Sequence, residues 1–395
     1  MEHIDTSVLV IGRSGTGKSS LLNYLFGKLV ERTGAGRPVT KRGIFEHSYE
    51  YNDALTIHIY DTWGLEPDKA EEWGDLINEE VARHDAMRIS DWFNTVIFCI
   101  SSNSDRVEYF EAGMIKELID RGNNVVVAIT HCNSQELSEN AEVVEKLNNA
   151  GVSNDRIINV SSVSETLLCG VTTRQFGRDE VFSAILKNLW GSICVKLPAN
   201  IRREVHLKLT KKREEQLGEV NARINARSFI RDKLNRSPSQ TLEEFGGEVT
   251  AEMEQFVKIA QSKVRERFVQ ANDYYFALYR QYNALISEAN RLEIRVDMKC
   301  DFFEGYRREL GDSFSRAGFI DVVELAVGKN LSTAHDGAEV MKEIVVGLKI
   351  NWAGVRNKRR HAQDTINKCY DDLEQALYEQ IEAITSSISK MYLLK

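Results

Sequence analysis

Gly12-Arg13-Ser14-Gly15-Thr16-Gly17-Lys18-Ser19 sets the chemistry open to this chain. The spacing, GxxxxGKS, is that of a phosphate-binding loop. Its glycines let successive backbone N–H groups turn inward on an anion, and a helix starting at the lysine adds its partial positive charge. Lys18 has the reach for the outer phosphates of a nucleotide, and Ser19 has a hydroxyl for the accompanying Mg²⁺. Gly12, Ser14, Gly15, Thr16, Gly17 and Ser20 complete the phosphate cradle. Further on, Asp61 ends an apolar-rich run and offers the carboxylate that holds the water shell of such a metal.

These residues work only if the right elements carry them. Val8-Leu9-Val10-Ile11 reads as a buried strand leading into the loop, and residues 20–26 as the helix leaving it. Residues 44–51 and 55–60 alternate apolar and polar, which predicts two antiparallel strands joined at Asn52-Asp53. Residues 66–91 are charged but carry Trp73, Leu76, Ile77 and Val81 at helical spacing. Residues 95–100 and 124–129 are β-branched buried strands, with an amphipathic helix over 106–121 between them. The second delivers Thr130-His131-Cys132-Asn133. A helix over 134–150, a strand over 156–160 and a helix over 179–190 follow. This alternation predicts an α/β fold with a mainly parallel sheet, helices on both faces and ligand loops at the strand C-termini.

Composition narrows the context. Across 395 residues the formal charge is −8, and residues 1–200 hold 19 Lys+Arg against 29 Asp+Glu. An acidic phosphate-binding half must hold nucleotide through its loop and metal, not through a general field. The dense basic cluster is Arg356-Asn357-Lys358-Arg359-Arg360-His361, so a nucleic-acid partner is not expected. Six scattered cysteines without a CxxC pair fit a reducing cytosol. Neither a signal peptide nor an apolar run of transmembrane length is apparent, so any membrane contact is expected to be peripheral.

The loop, a following threonine and Asp61-Thr62-Trp63-Gly64 together resemble the translation-factor-related class of P-loop GTPases. PVT with DTWGLE is similar to its Era-like, septin-like and dynamin-like members. The resemblance implies a G domain that binds GTP and GDP with Mg²⁺. Thr40 would join Ser19 and Asp61 on the metal only when a γ-phosphate is present, and the Gly64 N–H would contact that phosphate. Lys18, Thr40 and Gly64 are then the catalytic group. Thr130, His131 and Asn133 stand where the class has [NT]KxD, and Ser161 and Ser162 where a second loop meets the base. Asn133 replaces an aspartate. An amide offers one acceptor and one donor to guanine's two donors, which weakens selectivity. Asn133 equally suits the N-cap of the following helix. Leu65 stands where Ras-like members carry glutamine, so hydrolysis is expected to be slow unless Glu66 or a partner positions the water.

From about Pro198 the composition turns to Glu, Lys, Arg, Gln and Ala, which favours long helices. The expected division is a GTPase domain over 1–195 and a helical bundle or stalk over 196–395. Leu217, Val220 and Ile224 suggest one helix before a turn at Pro238, and Thr241-Leu242-Glu243-Glu244 has capping-box spacing for the next. A seam from Met253 to Val296 predicts one continuous helix, and a second runs from Ile366 to Met391. The simplest arrangement packs them antiparallel as a coiled-coil-like pair; oligomer pairing is the alternative. Residues 319–352 are more apolar and lead into the basic cluster. They suit a lipid-facing helix, but Asp321, Glu324, Asp336, Glu339 and Glu343 favour a bundle tip.

The expected function is a GTP-hydrolysing switch controlling the helical region, with dynamin-like assembly as one form. The alternatives are a signalling or immunity-type switch with a protein effector, and an ATPase or nucleotide-gated scaffold.

Overall fold

The computed structural model describes residues 3–27, 37–38, 44–62, 69–103, 107–164, 173–223, 238–296, 355–389 and 391–394. Two compact units emerge: Met1–Lys196 with Ala271–Asp297 and Ser389–Lys395, and Leu197–Gln270 with Met298–Ile388. The first unit thus takes in two later segments that the expected boundary near residue 195 assigned to the helical part.

Its sheet has seven strands in the order β2-β3-β4-β1-β5-β6-β7. They are β1 (Ile4–Gly12), β2 (Arg37–Pro38), β3 (Ile44–Asn52), β4 (Leu55–Thr62), β5 (Phe93–Ser101), β6 (Val125–Thr130) and β7 (Ile157–Asn159). From β4 to β7 all neighbours are parallel; β3 returns antiparallel to β4, and β2 to β3. The central strands are apolar without alternation because helices cover both faces. Every residue of β5 and of β6 is buried.

The helices are α1 (Lys18–Phe26), α2 (Ala70–Asp85), α3 (Tyr109–Asp120) and α4 (Ala141–Asn149), followed by α5 (Arg178–Arg223). On α2, Trp73, Ile77 and Val81 are buried at intervals of one turn, as their spacing predicts. Helix α4 begins later than expected. The Asn159 amide donates to Ser134 O at 3.2 Å and to Glu136 O at 3.0 Å, which ties the preceding chain into a loop.

Helix α5 also overruns its expected end near Trp190 and continues through Pro198. An interior proline costs about 3 kcal/mol. Leu197, Ile201, Val205 and Leu209 are all buried at four-residue spacing, and their burial offsets that loss. In the opposite sense, α6 (Pro238–Leu285) stops short of Val296. Asn283 accepts the Leu292 N–H and donates to Leu292 O, both at 2.9 Å, so the chain turns back on the helix. Asp179 accepts from the Ser287 backbone N–H, the Ser287 hydroxyl and the Asn290 amide, fixing that turn. Helix α6 opens at Pro238, where a proline's missing N–H costs nothing, and not at the capping-box residues after Thr241.

The returning chain forms β8 (Ile294–Val296), which pairs antiparallel with β9 (Tyr392–Leu394). Tyr392 stacks on Tyr275 with centroids 5.4 Å apart, meets Trp190 edge-on, and donates to Asn272 Oδ1 at 2.6 Å. Two strands of three residues are too short to carry a readable alternation, so no pattern predicts them.

One buried cation braces this unit. Lys196 Nζ lies 2.5 Å from Asp85 Oδ1, donates to Asn123 Oδ1 at 2.9 Å, and sits 5.8 Å from the centre of the Trp92 ring. Burial lowers its pKa, and Asp85 opposes that shift.

The second unit is helical: α5 from Leu197, α6 up to Gln270, and α7 (Val355–Ile388). Side chains pair Arg202 with Glu382, His206 with Glu374, Arg213 with Asp371 and Asn221 with Gln363. Numbers climb on α5 as they fall on α7, so these helices are antiparallel. The pairs Glu204–Arg267 and Lys212–Glu252 make α6 antiparallel to α5 as well. The two long seams on α6 and α7 therefore run parallel to one another, with α5 as their shared antiparallel neighbour. This corrects the expected antiparallel pair. A heptad-like seam records which face is apolar but not the direction of its partner. No described helix is long and apolar enough to cross a membrane.

Candidate functional site

Because β4, β1, β5, β6 and β7 are parallel neighbours, their C-terminal ends share one edge of the sheet. Gly12, Asp61, Thr130 and Ser161 are gathered there from far apart in sequence.

The loop runs from the end of β1 into α1. A Cβ at Gly12 would lie 2.5 Å from the Cys99 carbonyl oxygen of β5, so only glycine lets these backbones meet. Gly15 and Gly17 take φ of 79° and 78°, left-handed values that turn the chain around the loop. The Arg13 carbonyl accepts three donors: the Thr16 N–H at 3.3 Å, the Thr16 hydroxyl at 2.9 Å and Lys18 Nζ at 3.0 Å. Lys18 also donates to Gly12 O at 2.8 Å. Ser14, Gly15 and Ser19 are exposed, Ser20 is half-buried and Thr16 is buried.

Asp61 sits opposite Val10 in the β1–β4 register. Burial raises its carboxyl to about 6, against the pull of Lys18. Its Oδ1 is buried and has no hydrogen-bond partner among the described residues. An unpartnered buried carboxylate oxygen beside a phosphate loop suits a hard divalent cation and its water shell. Lys18 is lowered by burial, with Asp61 resisting the shift.

Thr130 Oγ1 donates to Thr16 O at 2.7 Å, linking the end of β6 to the phosphate loop. His131 takes φ 58°, and Ser102 Oγ donates to its carbonyl at 2.8 Å. A Cβ on Gly17 would lie 3.1 Å from His131 Nε2, so the imidazole rests against the loop. Asn133 is exposed. It does not cap α4, whose N-cap position falls at Asn140, so that alternative is not realised. Ser161 exchanges backbone hydrogen bonds with Phe176 at 3.1 and 3.2 Å, and Gln175 donates to Ser162 O at 2.6 Å. Thr40 and Gly64 lie outside the described residues, as do Leu65 and Glu66.

Three neighbours of the site were not singled out from sequence. Glu108 and Glu111 form a capping box at the start of α3, a three-residue spacing that was visible. Asn140 donates to Asn159 Oδ1 at 3.2 Å and steadies the loop after β6, a pairing with no sequence signal.

A parallel sheet with a glycine loop between β1 and α1 and a carboxylate at the end of β4 defines a P-loop nucleotide-binding domain of the G-domain fold. Residues 7–131 match the model of the family described as "50S ribosome-binding GTPase". Solved structures are similar over part of the chain. The G domain of FeoB from Methanococcus jannaschii has 17% identity and a TM-score of 0.28, covering 47% of this chain and 98% of that one. Toc33 from Arabidopsis thaliana has 14% identity and a TM-score of 0.33, covering 47% and 84%. Cdc11 from Saccharomyces cerevisiae has 17% identity and a TM-score of 0.27, covering 38% and 64%. No curated protein matches the chain.

Proposed function

We propose that this protein is a GTP-binding and GTP-hydrolysing switch whose nucleotide state controls its helical unit. The observation that carries the reading is the phosphate loop with Asp61 beside it, its Oδ1 buried and without a hydrogen-bond partner among the described residues. Lys18 would leave the Gly12 and Arg13 carbonyls for the outer phosphates, while Ser19 and Asp61 would hold Mg²⁺ with Thr40. Catalysis by such a site is mainly positioning and charge neutralisation. Loss of the γ-phosphate would release Thr40 and Gly64, and that relaxation is the signal.

Titration calorimetry with GTP, ATP and XTP analogues in Mg²⁺ tests this, with Lys18→Ala as control. A clear preference for GTP is expected. Equal or tighter binding of ATP would favour the ATPase or nucleotide-gated scaffold, a reading that rests on the exposed amide of Asn133 where a base-reading carboxylate is expected. Dynamin-like assembly predicts a mass increase in light scattering with a non-hydrolysable GTP analogue, and an effector-bound signalling switch predicts none. Liposome binding lost on neutralising Arg359 and Arg360, exposed or half-exposed on α7, would add a peripheral membrane role.

The Asp61 carboxyl also predicts a pH dependence. Its folded pKa, about 6, lies above the ordinary value of 3.8, so the metal-free fold favours the protonated form. That contribution to stability is complete below the ordinary value and is lost as pH rises through about 6. The ionised form needed by Mg²⁺ is depleted in the same window as pH falls. Mg²⁺-dependent nucleotide binding is expected to weaken between about pH 7 and pH 5. Asp61→Asn should abolish that dependence and raise the melting temperature of the metal-free protein at neutral pH. An affinity that is flat across this window in the wild type would reject the assignment of Asp61 to the metal.

A further inference from the structure

Arg13 occupies the first variable position of the phosphate loop, and its two ends do different things. Its carbonyl is the hub that accepts both Thr16 donors and Lys18 Nζ. Its guanidinium reaches away to the first turn of α3, where Nε lies 3.3 Å from Glu111 Oε1 and Nη1 lies 3.8 Å from Glu108 Oε1. The Glu111 side chain is 0% exposed, an unusual place for a carboxylate without a purpose. Its other oxygen accepts the Glu108 N–H at 3.0 Å and closes the capping box. One buried carboxylate therefore holds both the start of α3 and the side chain of the loop residue whose carbonyl parks Lys18.

The contact is only half made. Arg13 Nε and Glu111 Oε1 face each other at ion-pair distance but out of hydrogen-bond alignment, and neither buried atom has another hydrogen-bond partner among the described residues. When Lys18 leaves the Arg13 carbonyl for a phosphate, that carbonyl loses its charged donor while the two Thr16 donors stay, and a modest rotation of the Arg13 side chain would align the pair. A buried charge-assisted hydrogen bond gained in that step would favour the nucleotide-bound loop.

We propose that Glu111 is a positioning residue for nucleotide binding, acting through Arg13 to latch the phosphate loop to α3 when the loop closes on a polyphosphate. This rests on the GTP-binding reading above. The latch touches no phosphate itself; it sets the affinity of a loop that does.

The test uses the full chain and calorimetry with GDP and a non-hydrolysable GTP analogue, alongside thermal melting without nucleotide. Glu111→Gln keeps an acceptor for the capping box but removes the charge opposite Arg13. It is expected to weaken both nucleotides about 10- to 100-fold, the range for a hydrogen bond to a charged group. Arg13→Met should do the same, and the double variant should be no weaker than either single, because both remove one interaction. In turnover, Glu111→Gln should raise KM more than it lowers kcat. Wild-type affinity in Glu111→Gln, or losses that add in the double variant, overturns the latch. So does a lowered melting temperature with unchanged affinity, which marks a structural role only. A wild-type protein that binds neither nucleotide rejects the functional reading as well, and is distinguishable because Lys18→Ala then changes nothing.

Discussion

Lys18→Ala is expected to lower affinity for a nucleoside triphosphate by about 100-fold or more, and hydrolysis by at least as much. That is the scale of removing one preorganised charged donor from a developing anion. The ammonium is already buried and already on two loop carbonyls, at 2.8 and 3.0 Å. It exchanges partners from an already buried position and need not be drawn from bulk water, so little of its interaction is lost to desolvation at the moment of binding. Asp61 loses its neighbouring cation in the variant, so its carboxyl should rise further than it already has. Lys18→Arg is not expected to rescue, because the longer planar group cannot use the same two carbonyls. Equilibrium binding of a fluorescent GTP analogue measures the effect. Affinity within threefold of wild type would reject the phosphate-loop role.

The largest effect on stability is expected at Lys196. Lys196→Ala leaves Asp85 beside an empty space and costs about 3 kcal/mol, the lower end of the range for stripping one partner from a buried pair. The lower end applies because Asp85 keeps 22% side-chain exposure while Lys196 has 4%. Lys196→Met with Asp85→Asn keeps the volume, removes both charges and should recover most of the loss. Urea unfolding followed by tryptophan fluorescence suits the test, since Trp92 borders the ammonium. An unshifted midpoint in Lys196→Ala would mean that the pair contributes nothing.

What could be read from sequence is what repeats locally. Strands β5 and β6 announce themselves as apolar runs, and α2 as Trp73, Ile77 and Val81 one turn apart. The loop glycines were legible because phosphate chemistry fixes their spacing. Element ends were not, since partners distant in sequence decide them. Asp179 and Asn283 stop α6, Asn159 delays α4, and burial of Ile201 and Val205 carries α5 past Pro198. In the site, Asp61 was visible from its place at a strand end, whereas the Arg13–Glu111 contact joins two segments that no spacing rule relates.

Thr130 gives the site a property that a catalogue of its loops misses. Its hydroxyl donates to Thr16 O, and His131 leans on Gly17, so the segment that would face the base and the segment that would face the phosphates share parts. Base preference and phosphate grip are then not separate modules. Fragments such as a nucleoside and pyrophosphate should bind with non-additive energies, and a library randomised over 131–133 to change the preferred base should return variants whose phosphate affinity has drifted too. Selection for a new nucleotide on this scaffold would have to alter both loops in step.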